Sequence, residues 1–120
     1  MQGTSLIRVS AMTEPRAIDF SSADAVSHDP GVTDREVEVD GVRWALVEYS
    51  PGTGRERWCD VPHSGYVVSG SITYSFDDGS DSIAVGAGES FVLPPAPRHR
   101  GRNEGDRPAR LFLIDAITSS

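Results

Sequence analysis

The chain has 120 residues, 38% of them hydrophobic and 24% charged, which suits one small domain with a single core and excludes a chain disordered over most of its length. A formal net charge of -7 makes nucleic acid and anionic membrane poor partners. All eleven basic residues are arginine, which excludes Schiff-base chemistry through a lysine amine, and a single cysteine, Cys59, excludes an internal disulfide.

Residues 1–33 are polar and weakly periodic, and are expected to be partly disordered or to supply an edge strand. Within them only 17–20 reads as a strand, His28 reads as a loop residue beside Asp29-Pro30, and Met12 is a candidate alternative start. No signal-peptide run precedes the first arginine, Arg8, and the longest compact apolar run, 111–114, is too short to cross a bilayer, so a cytoplasmic location is expected.

From residue 34 to 117 the pattern is that of one domain, with 118–120 a tail. Residues 36–39 alternate charge with valine, Asp40-Gly41 is a hairpin turn, and Val42–Tyr49 returns. That returning run is apolar on both faces, with Trp44 and Leu46 on one and Ala45, Val47 and Tyr49 on the other, so a second layer or a partner subunit should cover it. A break at 51–54 leads through 56–61 to strands at 66–69 and Ser71–Phe76, the latter with Ile72, Tyr74 and Phe76 on one face. Turns at 77–79 and 86–88 bracket a strand at 82–85; Ser90–Leu93, 98–102 and Ala109–Ala116 complete the set. Many short strands punctuated by Gly, Pro and Asp predict an all-β sandwich or barrel.

Residues 88–103, GESFVLPPAPRHRGRN, narrow this choice. Gly88, Pro94, His99 and Asn103 fall at the spacings of the second cupin motif, and Ala96 replaces its second glycine. The chain therefore resembles the cupin family over roughly residues 35–116, and the resemblance implies a jelly-roll (double-stranded β-helix) barrel of the RmlC-like kind. The first cupin motif is altered. Aligned on Gly70, its glutamate slot holds His63, and its two histidine slots hold Arg57 and Cys59 in one register or Glu56 and Trp58 in the other. The stretch Cys59-x-x-x-His63-x-Gly-Tyr-Val-Val-Ser-Gly is similar to a subgroup of small cupins.

The resemblance places His63 and His99 at ligand-equivalent positions inside the barrel, and Cys59 supplies a third donor. Two imidazoles and a thiolate suit a divalent transition metal such as zinc, iron, nickel or copper. Glu56 is a candidate proton carrier, Glu56 or Arg57 a candidate fourth group as ligand or anion clamp, Cys59 a candidate reactive thiolate, and Tyr74 a candidate hydroxyl donor. A barrel without metal, holding or sensing a small organic ligand, is the competing expectation. Tyr66 has the opposite parity to His63 and should face away; Arg98 and Arg100 flank His99 and should face solvent, with a carboxylate- or phosphate-binding rim as the alternative. The resemblance implies small-molecule chemistry of the isomerase, cyclase, lyase or dioxygenase type, and a homodimer, for which Val42–Tyr49 and Ala109–Ala116 offer spare apolar surface.

Overall fold

The computed structural model describes residues 7–9 and 15–116. Met12 and residues 118–120 lie outside the described residues. Ten strands and one 3-10 turn make up the described chain: β1 (Ile7–Val9), the turn Phe20–Ser22, β2 (Val26–Asp29), β3 (Val32–Val39), β4 (Val42–Tyr49), β5 (His63–Ser69), β6 (Ser71–Phe76), β7 (Ile83–Gly86), β8 (Ser90–Leu93), β9 (His99–Arg102) and β10 (Ala109–Ala116). The large sheet runs β1-β3-β4-β10-β5-β8, with β2 also on β3; the small sheet runs β7-β6-β9. All pairings except β1 with β3 are antiparallel. No helix among the described residues is long and apolar enough to cross a membrane.

Turn chemistry sets the strand ends. Asp40 and Gly41 both take positive φ, 53° and 81°, and close the β3–β4 hairpin in register from Val39↔Val42 to Val32↔Tyr49. Between the sheets lies the main core, built on Val47, Val67, Ile72, Leu93 and Leu111. Gly65 is required where β5 crosses that core, because a Cβ there would lie 2.4 Å from the Phe91 ring. Asn103 is fully buried, and its side chain donates to Tyr49 O and Arg107 O and accepts from Gly105 N, tying the end of β9 to β4 and to the loop before β10.

Residues 17–20 and His28 differ from the sequence expectation. Residues 17–20 form no strand; Asp19 instead caps a 3-10 turn, accepting from Ser21 N, because a short Asp/Ser run favours local side-chain bonds over a ladder. The outer face of β3 and β4 is covered by the chain itself: Ile18, Phe20 and Ala23 pack on Val37, Val39 and Trp44, and Arg35 donates to Ala23 O. Val37 and Val39 of β3 therefore point outward under this cover, while Val32 points into the main core and Asp34 and Glu36 point inward to a cavity. His28 sits on strand β2 rather than in a loop, exposed at the cavity border.

Candidate metal centre

Cys59, His63 and His99 reach one place from three directions. His63 opens β5, paired with Leu93 of β8 in the large sheet. His99 opens β9 in the small sheet, opposite Phe76. Cys59 belongs to no full strand, yet the segment carrying it runs along the free edge of β9 through bridges at Gly54↔Arg102 and Cys59↔His99. Directly opposed residues of an antiparallel pair carry their side chains to the same face, which puts the thiol beside the imidazole. The Arg100 guanidinium lies 4.1 Å over the Trp58 ring and donates to Glu56 O, pinning this segment from outside.

The three donor atoms lie within 4.8 Å of one another. Cys59 Sγ is 3.8 Å from His63 Nε2, and the two imidazole centroids are 5.1 Å apart. Two ligands of a tetrahedral ion with bonds of about 2.0–2.3 Å stand roughly 3.3–3.8 Å apart, so the Cys59–His63 spacing suits such an ion with little movement. His99 is buried, and its Nδ1 finds no hydrogen-bond partner, a state that costs free energy unless a ligand relieves it. A donor set of two imidazole nitrogens and one sulfur is also chemically right for zinc, iron, copper or nickel.

His63 is held from behind. Its Nδ1 bonds Asp115 Oδ1 at 2.9 Å, while Asp115 Oδ2 takes the Nε (3.0 Å) and Nη2 of Arg43, whose Nη1 pairs with Glu36 at 3.3 Å. In the neutral ring this fixes the proton on Nδ1 and leaves Nε2 free toward Cys59, the orientation of metal-binding histidines backed by a carboxylate. Hydrogen bonds from His63 and then His99 lower the Cys59 thiol from 9.0 to about 6, against the opposing effect of burial. Burial disfavours the His63 cation, yet the bonds to Asp115 and Cys59 prevail and raise it to about 9. For Asp115 burial is likewise overcome by His63 and Arg43, and its pKa is lowered.

These groups face a cavity of about 810 Å³ that also takes in Glu56, Arg57, Trp58 and Tyr74. Tyr74 is buried with its ring edge-on to His99 at 5.8 Å, and burial holds its hydroxyl well above the usual range, hence protonated. Glu56 is exposed at the mouth, outside the three-donor cluster. Cys59, rather than Trp58, faces the histidines, in keeping with the register that pairs Arg57 with Cys59. Tyr66 is exposed and Phe91 belongs to the core. Sequence reasoning missed Asp115 and Arg43. The signal for Asp115 was a lone carboxylate on the inward parity of β10, in line with Leu111 and Leu113.

No curated protein matches the chain. Among solved structures it is similar to the polyketide cyclase RemF from Streptomyces resistomycificus (TM-score 0.71, 19% identity, 88% of this chain and 81% of that one). It is also similar to a cupin-superfamily sugar phosphate isomerase from Silicibacter pomeroyi (0.69, 17%, 86% and 76%) and to an oxalate oxidase (0.65, 21%, 82% and 57%). At these identities the likeness shows the fold alone. The family model described as a cupin domain matches residues 45–115, more than half of the sequence and the stretch that contains Cys59, His63, His99 and Asp115, and by that match the chain belongs to the cupin family.

Proposed function

We propose that this protein holds a divalent transition metal on Cys59, His63 and His99 and acts on a small organic molecule in the adjoining cavity. The convergence of those three donors within 4.8 Å carries the reading. Bound there, the cation supplies Lewis acidity toward a carbonyl or enolate oxygen. Asp115 holds the His63 ring in place, Cys59 contributes negative charge, and Tyr74 offers a protonated hydroxyl. Solved structures of similar fold include a cyclase, an isomerase and an oxidase, which supports small-molecule chemistry of the cyclase, isomerase or oxidase kind as the class.

Elemental analysis of the full chain purified without chelator tests the reading. The expected result is about one transition metal per chain, reduced by His99→Ala and shifted in preference by Cys59→Ser. Protein that stays metal-free after incubation with zinc, nickel or iron(II) would overturn it.

A second reading has its own support. The Cys59–His63 pair satisfies itself as thiolate and imidazolium, so a metal-free barrel binding an organic ligand is self-consistent. For assembly we propose a homodimer through the outer face of β5, β8 and β10, where Tyr66, Val68, Val92 and Ile114 are exposed.

A further inference from the structure

Beside the three donors the cavity carries paired charges. Arg43 on β4 lies between Glu36 and Asp115. Arg55 donates to both oxygens of Asp34, at 2.8 and 3.0 Å, and its Nη1 stands 3.8 Å from Asp29. Each guanidinium is thus flanked by two carboxylates, and all six side chains are at least two-thirds buried.

Two cations against four anions leave these two clusters with a net charge of about -2, in surroundings where charges are weakly screened. Arginines in a pocket ordinarily signal an anionic ligand, since their forked donors match a carboxylate or phosphate. Here the forks are already filled. Two further arginines line the cavity: Arg100 lies over Trp58, and Arg57 is exposed in the same stretch as the exposed carboxylates Glu56 and Asp60. At Arg43 or Arg55 an entering anion would have to displace a carboxylate and remain beside the ones left.

We infer that the ligand of this cavity is an uncharged organic molecule bearing hydroxyl or carbonyl groups, and that the Arg43 and Arg55 clusters exclude carboxylates and phosphates. The inference deepens the small-molecule reading above and rests on it for the existence of a ligand. It does not rest on the metal.

Its test uses two probes of one shape and different charge, benzamide and benzoate, titrated into the metal-free full chain and followed through the backbone amides of Arg43 and Arg55. Benzamide should shift these amides and bind about tenfold or more tightly than benzoate. In a Glu36→Gln, Asp29→Asn double variant, which leaves one carboxylate per arginine, the preference should narrow severalfold. Benzoate binding equal to or tighter than benzamide in the parent chain overturns the inference. So does a parent chain in which neither probe moves the cavity amides, or a folded double variant with the same preference. Metal content is measured on separate portions of the same protein. A benzamide preference in protein that never takes up metal keeps this inference and removes the metal reading.

Discussion

Cys59 and His99 exchange both of their backbone hydrogen bonds, N–H of Cys59 to O of His99 at 2.8 Å and N–H of His99 to O of Cys59 at 3.0 Å. The donor set therefore depends on where β9 lies, and β9 is seated by Gly101. A Cβ at Gly101 would stand 2.9 Å from the Tyr74 ring and 3.1 Å from Tyr49 Oη, with both tyrosines buried and unable to retreat. Gly101→Ala should cost about 1–3 kcal/mol and lower metal uptake together with stability. Thermal unfolding and metal content measured in parallel check this; a variant matching the parent in both would mean that β9 is not fixed by this contact.

Asp115 is a positioning residue for His63. Asp115→Asn keeps the shape but removes the charge that holds the Nδ1 proton, and metal affinity should fall by about ten- to a hundredfold. Chelator competition reads the affinity, and a cobalt-loaded sample reads the ligand geometry by its visible spectrum. Unchanged affinity alongside reduced stability would assign Asp115 a structural role only.

Titration of the metal-free protein should show the thiolate forming with a midpoint near pH 6, and His63→Ala should move that midpoint up toward the ordinary 9.0. The Cys59 contribution to stability is complete above about pH 9, where the unfolded thiol is ionised as well, and is lost as pH falls through about 6. The His63 contribution is complete below about pH 6.5 and is lost as pH rises through about 9. Between about pH 6.5 and 9 these two slopes oppose each other, so metal-free stability should change little with pH, while Cys59→Ser should expose the fall that His63 contributes as pH rises; ultraviolet thiolate absorbance of the parent and denaturant midpoints of both across that range decide it.

Asn103 holds three hydrogen bonds in a fully buried position. Asn103→Ala orphans two carbonyls and an amide and should destabilise the fold by about 3 kcal/mol. Urea unfolding gives the number, and a loss below about 1 kcal/mol would show that water replaces the side chain.

Val92 is 74% exposed on the outer face of β8. Val92→Asp should turn the proposed dimer into a monomer with little change in the stability of each chain, as read by light scattering over a concentration series. A parent chain that is monomeric throughout refutes the dimer directly.

Much of the fold was legible because turn residues mark it. Asp40-Gly41 set the β3–β4 hairpin, and β4, β6, β8 and β10 begin and end where alternation and punctuation place them. The N-terminal cover was not, because Ile18, Phe20 and Ala23 lie in a polar stretch without period and gain meaning only against Val37 and Trp44. His63 and His99 were legible through the motif spacing, and Cys59 through its place in the variant motif. Asp115, Arg43 and Asp34 were not: each is an ordinary charge on an alternating strand until the register shows which face looks inward.

The three donors are divided between the sheets, His63 in the large one and His99 with its bridged partner Cys59 in the small one. A cation gripped by all three would be a clasp across the open end of the sandwich, resisting the parting of its two layers. Heat resistance would then climb with the logarithm of free metal concentration, and a chelator would loosen the mouth before it loosened the core.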